Sequence, residues 1–384
     1  MNLLEDCPPE LLAEMFFHAG RRDQAALCRT SKRFHDVCIP LLNRTVDLLC
    51  YSNRDLEVLN AFCSSVLKYP GRAAAVRSMT LKLGMPTGTA TFNLWVAAIG
   101  AMRMLRHLTV EEAWPATCTS LAWLTRMSLQ ELTSFNLIRS EAFKDSADPV
   151  VRFLAGSPKL TFVRIPTQLL PARSGTESCI LPAVVHYEGT SDLFHHMCGG
   201  GLESAHTVLR RVEDIVAMGR RARRDTPFTL SFSMQPAYGG VALNTVLAQT
   251  LDAAAAHLPQ LMSLQVLVTN CNKRVLKVGR LYLVTHELEM QGFVQEITQA
   301  IPMFTGLRHI ALSGVLVTQH GDRILDSFTT SRREAAEAAE AWLRAAPTVV
   351  ACYTGGMAWE KGSSGMRECS REVFQARSGL EAFA

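Results

Sequence analysis

Leu105-Arg106-His107-Leu108-Thr109-Val110 is the stretch on which the fold turns, because it sets two further apolar residues three and five places after an aliphatic one. Its alternating second half suits a strand with one buried face. The same form recurs at Val76-Met79-Leu81, Leu132-Phe135-Leu137, Leu160-Val163-Ile165, Leu261-Leu264-Val266 and Leu307-Ile310-Leu312. The pieces that start at 76, 105, 132 and 160 are 29, 27 and 28 residues apart. That spacing lies within the period of leucine-rich repeats, about 20 to 29 residues.

Outward from these pieces the chain turns helix-like, at Asp55–Lys68, Thr91–Met104, Pro149–Ala155, Glu203–Arg223, Ala242–His257, Glu287–Ile301 and Asp322–Ala345. Breakers such as Gly156-Ser157-Pro158 and Pro302 stand shortly before the next strand piece. A helix-turn-strand unit leaves an apolar face open on both elements, so neighbouring units must stack to cover it. The expectation is an α/β fold: a degenerate leucine-rich-repeat-like solenoid with a parallel sheet over residues 46–384. The array is irregular near Phe228–Met234 and Thr348–Tyr353, with TVVACY (348–353) as its closing strand, and no asparagine ladder repeats cleanly.

The N-terminal residues follow a different rhythm. Pro8, Pro9 and Glu10 suit a helix start with Asp6 as cap, and Leu11, Leu12, Met15, Phe16 and Ala19 form a one-sided apolar stripe. Gly20-Arg21-Arg22 breaks the pattern, Asp23 caps a second helix through Leu27 and Cys28, and Phe34, Val37, Cys38 and Leu41 mark a third. Three short helices bury little area alone, so this module must lean on a partner or on the following domain.

The run CPPELLAEMFFHAGRRDQAALCRTSKRFHDVCIPLL (7–42) resembles an F-box. The positions that carry the likeness are Pro8, Glu10, Leu11, Leu12, Met15 and Phe16, then Asp23, Leu27, Cys28, Ser31, Lys32, Arg33 and Phe34, with Cys7 where the family usually has leucine. The resemblance implies a three-helix F-box at 1–45 that binds the adaptor of an SCF-type cullin-RING ubiquitin ligase, and through it a cullin. Pro8, Glu10, Leu11, Leu12, Met15, Phe16, Leu27, Cys28, Lys32, Arg33 and Phe34 are the implied adaptor-binding residues. The ending Gly355-Gly356-Met357-Ala358-Trp359-Glu360 is similar to the terminal strand and tryptophan turn of F-box proteins with degenerate leucine-rich repeats.

Composition narrows the partners. Lys and Arg outnumber Asp and Glu by 39 to 35, a net charge of +4, too small a bias for a nucleic-acid surface. Eleven cysteines never form a C-x-x-C pair, which fits reduced thiols in the cytoplasm or nucleus rather than a secreted disulfide framework. The N-terminus lacks a secretory n-region and h-region, and no stretch is apolar enough to span a membrane.

Chemistry has few footholds. His195-His196-Met197-Cys198 groups metal-ligating side chains, but adjacent histidines on a helix diverge by about 100 degrees and no second ligand pair accompanies them. G-x-S-x-G, G-x-x-x-x-G-K-[ST] and G-x-G-x-x-G are missing. Arg210, Arg211, Arg220, Arg221, Arg223 and Arg224 are read as the solvated face and basic end of the 203–223 helix, with an acidic-partner contact or nuclear import signal as the alternative. No catalytic residue, metal or cofactor is expected. The expected function is recruitment of an unknown protein client by the repeat domain while residues 7–42 hold the adaptor; the competing readings are an F-box scaffold without a client and a repeat-only interaction module.

Overall fold

The computed structural model of the chain describes residues 7–84, 88–112, 121–139, 147–166, 181, 184–197, 200–209, 211–234, 243–270, 275–278, 281–284, 290–317, 323–325, 331–363 and 365–380. Two compact units divide it, Met1–Pro182 and Ala183–Ala384. The first therefore holds the N-terminal helices together with the first five strands.

In the first unit, α1 (Pro9–Phe17), α2 (Arg21–Leu27) and α3 (Lys32–Leu42) precede β1 (Thr45–Cys50). Next come α4 (Asn53–Lys68), α5 (Pro70–Ala75), β2 (Ser78–Leu83), α6 (Thr89–Ala101), β3 (His107–Glu112), a 3-10 turn at Leu121–Arg126 and β4 (Ser134–Arg139). The unit's last elements are α7 (Asp148–Ala155) and β5 (Phe162–Arg164). The five strands lie side by side in chain order and all run parallel. Val46, Met79, Leu108, Phe135 and Val163 stand in one register row, and Leu48, Leu81, Val110 and Leu137 in the next. Both rows are buried, so the strand form read from the sequence is also the register of the sheet. Phe135 meets Phe153 of α7 edge-on at 4.9 Å, which puts the helices over this face.

A backbone stitch repeats ahead of each strand. The carbonyl of Arg44 accepts from the N–H groups of Arg77 and Ser78, that of Arg77 from Arg106 and His107, that of Arg106 from Thr133 and Ser134, and that of Thr133 from Thr161 and Phe162. One acceptor thus serves two donors and fixes where every strand begins. The opposite face carries Thr80, Lys82, Thr109, Glu111, Asn136 and Arg164, all half-buried, with exposed Asp47 and Leu49 on β1.

The second unit begins with β6 (His186–Thr190), a 3-10 turn at Ser191–His196, β7 (Ser204–Val208), α8 (Glu213–Gly219), β8 (Phe228–Met234), α9 (Leu243–His257) and β9 (Leu261–Asn270). A two-stranded antiparallel ribbon follows, β10 (Val275–Val278) with β11 (Leu281–Val284), then α10 (Met290–Ala300), β12 (His309–Val317), β13 (Arg323–Leu325) and α11 (Arg332–Ala345). The described chain closes with β14 (Ala351–Thr354), β15 (Met357–Gly362), β16 (Gly365–Cys369) and α12 (Arg371–Ser378). Strands β6, β7, β8, β9, β12 and β14 are neighbours in that order and parallel, whereas β13, β15 and β16 attach antiparallel.

Several boundaries differ from the sequence reading. The helix expected at Glu203–Arg223 is β7 followed by the short α8, because buried Ala205 and Thr207 fit between flanking strands and the Thr207 hydroxyl donates to the Gly189 carbonyl at 2.9 Å. The helix expected from Asp322 starts at Arg332, where Ser331 and Glu334 form a reciprocal capping box. Gly20, not Asp23, caps α2; Arg21, Arg22 and Asp23 are its first turn. Phe228–Met234 is a full parallel strand rather than an irregular stretch, and TVVACY does not close the array, since β15 and β16 extend it. Asp6, the expected cap of α1, lies outside the described residues; Pro8 holds that place with no side-chain bond.

Replacing Phe135 by alanine should lower the unfolding free energy by about 3–5 kcal/mol, whereas Thr109→Ala on the opposite face should change it by less than about 0.5 kcal/mol. Urea melts of the two variants check this, and equal losses would contradict the assignment of faces.

Candidate docking surface on the N-terminal helices

Pro8 enters α1 in an extended conformation and Pro9 occupies its first turn, where no N–H is needed. From there the helix places Leu12 and Phe16 on one side, both buried, and Leu11 and Met15 on another, 57% and 52% exposed. Leu12, Phe16 and Cys38 form a small core, ringed by the partly buried Cys7, Leu27, Cys28, Phe34, Val37 and Leu41. Phe16 meets the Phe34 ring edge-on at 5.2 Å. Burial pushes the Cys38 thiol up to about 11, and neighbouring Cys28 adds to the rise, so this is a protonated packing group.

Polar side chains lock the three helices together. Buried Gln24 donates through Nε2 to the carbonyls of Phe16 at 2.8 Å and Ala19 at 3.0 Å, closing the end of α1 from α2. Arg33 donates to the Cys7 carbonyl, and Ser31 caps α3 by accepting from the Phe34 N–H at 3.2 Å. Arg21 donates to the carbonyls of Leu42 and Thr45 and lies 4.0 Å from the Asp47 carboxylate, tying the helices to β1.

The residues that the sequence groups as adaptor-binding are therefore divided by the structure. Leu12 and Phe16 are interior; Leu27, Cys28 and Phe34 border that interior; Arg33 is engaged with Cys7. Pro8, Glu10, Leu11, Met15 and Lys32 face outward. Phe17, absent from that group, is 49% exposed with the Arg44 guanidinium 5.1 Å from its ring centre. The consecutive Met15-Phe16-Phe17 was the available signal, since three adjacent helical residues cannot all point inward.

A second concentration of polar groups lies on the unit-two sheet. Ser263, His309, Ala351 and Glu360 form one register row and are all buried. The Ser263 hydroxyl donates to the Ser378 carbonyl at 2.7 Å. His309 Nδ1, 3.1 Å from the same oxygen, therefore carries hydrogen and donates to it. Burial, with Arg308 and Arg377 nearby, holds His309 below its ordinary value near 6.5. Ser231 donates to Gln265 at 2.8 Å, and the Glu360 carboxylate meets Arg367 and Arg377.

Elsewhere, Arg223 is shared between Asp225 at 3.0 Å and Glu203 at 3.2 Å, and Arg221 donates to the Phe194 carbonyl. The basic cluster follows α8 instead of ending a long helix, and Arg210 is outside the described residues. His195 and His196 finish a 3-10 turn, Cys198 is not among the described residues, and no group of three metal-ligating side chains forms among those that are. No described helix is long and apolar enough to cross a membrane. In comparisons with known proteins, no family model and no curated protein matches this chain.

Gln24→Ala should destabilise the helical layer by about 1–3 kcal/mol, because the Ala19 carbonyl loses its side-chain donor while that of Phe16 keeps only the backbone N–H groups of His18 and Ala19. Amide exchange should quicken across residues 9–42 while β2–β4 keep their protection; unchanged exchange would remove the clip assigned to Gln24. A pH effect follows from His309. Its pKa is lower in the folded chain than in the unfolded one, so as pH falls below about 6.5 the unfolded chain takes up the proton first, and stability that is complete above that pH declines below it. Denaturant melts at pH 7.5 and 5.5 should show a smaller drop in His309→Gln than in the native chain, and equal drops would contradict the sign.

Proposed function

We propose that the chain is an F-box-type substrate-recruiting subunit of an SCF-type cullin-RING ubiquitin ligase, with its first three helices docking the ligase adaptor and a leucine-rich-repeat-like solenoid holding a protein client. The observation that carries the docking half is the division of α1. Its own core is filled by Leu12 and Phe16, yet Leu11 and Met15, one turn apart, remain more than half exposed on the same helix. Apolar side chains held outward on a helix whose other side is packed have the form of interface anchors. Pro8, Glu10 and Lys32 are exposed as well.

The client half is supported by the polar face of the first unit's strands. Asp47, Thr80, Thr109, Asn136 and Arg164 stand in one register row across five strands, a rigid ladder of hydrogen-bonding groups. Lys82 and Glu111 pair at 2.8 Å in the adjacent row, so the face carries little uncompensated charge. Ubiquitin transfer belongs to other subunits in this reading, and the chain contributes position alone.

Leu11→Glu with Met15→Glu should weaken capture of the adaptor by at least about 10-fold, the loss that follows from removing one interface anchor. Because both side chains are exposed, circular dichroism and melting should match the native chain. Phe16→Glu should instead disrupt the helical layer. Retention of full adaptor capture by the folded double variant, or no capture by the native chain, would refute the proposal.

A further inference from the structure

The two sheets treat the face away from their connecting helices differently. In the first unit that face carries half-buried polar side chains, whereas in the second the short helix α12 lies on it. Phe374 and Leu380 pack with Ala311, Ala351, Tyr353 and Ala358, the Arg371 guanidinium sits 5.5 Å from the Tyr353 ring centre, Arg377 pairs with Glu360, and the Ser378 carbonyl accepts from Ser263.

From these contacts we infer that the surface beneath α12 is a recognition groove for a short amphipathic helix, and that α12 is its built-in, displaceable occupant. The floor is unlike an ordinary core: beside three alanines and a tyrosine it buries Ser231, Ser263, Gln265, His309 and Glu360. Buried polar side chains depart from an ordinary packing face, and a few placed polar groups among apolar ones are what fix orientation in a recognition surface. Their hydrogen bonds are made mainly within the sheet, so the floor keeps its shape without the helix; Glu360 retains Arg367 from β16 when Arg377 leaves.

The occupant has the complementary properties. α12 follows β16 and packs on the sheet through Phe374, with Leu380 just beyond it. It is preformed at both ends: the Ser370 hydroxyl accepts from the Val373 N–H, and Gly379, with φ +65°, makes the left-handed turn that sends Leu380 back to the sheet. Only Phe374, Ser378 and Leu380 are buried along 371–380. The partner that fits is therefore a helix with an aromatic residue, an arginine three places later and a leucine six places later, the pattern of Phe374, Arg377 and Leu380. This inference stands whether or not the N-terminal helices dock a ligase adaptor.

Two measurements on the full chain test it. Native-state amide exchange should show residues 373–379 opening at least about 10-fold faster than the amides of β9, β12 and β14, the signature of sub-global release. A labelled peptide of residues 370–380, followed by fluorescence anisotropy, should bind the Phe374→Ala/Leu380→Ala chain at least about 10-fold more tightly than the native chain, whose groove is filled. The same peptide carrying Phe374→Ala should not bind, and Glu360→Gln in the double variant should weaken the native peptide. Exchange of α12 only together with the strands overturns displacement, even if the double variant fails to fold. Equal or absent peptide binding by a folded variant and the native chain overturns the groove.

Discussion

Within each unit the packing depends on the register of parallel neighbouring strands. A strand in a parallel sheet satisfies its backbone on both sides but cannot cover either of its faces, and a one-residue slip exchanges those faces completely. Here the shared carbonyls of Arg44, Arg77, Arg106 and Thr133 pin each strand start in the first unit, so Met79, Leu108 and Phe135 reach the helix side together. Burying that apolar row stabilises the register, and the register in turn delivers Thr80, Thr109 and Asn136 to the other face as an aligned set. Apolar burial and the polar ladder are two results of one alignment.

The second unit uses the same constraint differently. Leu230, Leu264, Ile310 and Cys352 continue a buried row toward the helices, and the rows behind them are filled with serine, glutamine, histidine and glutamate. Those polar groups are tolerated in the interior because neighbours in register satisfy one another, as Ser231 does with Gln265 and His309 with Ser263. A face of this kind gains from a cover that supplies a few matched contacts, which α12 does with Phe374, Arg377 and the Ser378 carbonyl.

How much of this was legible in the sequence depended on which side chains fill the row. Six strands show aliphatic or aromatic residues at all three positions of the form and can be read directly. The other parallel strands use the same form with substitutes: Val184-Tyr187-Gly189, Leu202-Ala205-Thr207, Pro227-Leu230-Phe232, Val349-Cys352-Thr354 and, at the start, Asn43-Val46-Leu48. Gly189, Thr207 and Thr354 are fully buried in these places, so a search for apolarity passes over them although the geometry is unchanged. The long helix expected across Glu203–Arg223 came from the same cause, since Ala205 and Thr207 carry too weak a strand signal to interrupt it. In the N-terminal helices the apolar stripe of α1 was visible, but spacing alone merged two sides of the helix, and only packing separated Leu12 and Phe16 from Leu11 and Met15.

That separation also changes the meaning of Cys7, which stands where the F-box pattern usually has leucine. Under the proposed F-box reading, the exchange removes apolar area from the side proposed to dock. In the fold, Cys7 instead borders the small core with Leu27, Cys28 and Phe34, and its carbonyl is held by Arg33. A shorter side chain there reduces the packing that keeps α1 against α3, while the outward positions of Leu11 and Met15 are set by helical geometry and by the Gln24 clip. The departure thus bears on how firmly the helices hold together rather than on what they present. A helical layer with so small a core relies on its attachments, and Arg21, bonded to Leu42 and Thr45 beside Asp47, transfers part of that burden to the first strand of the sheet.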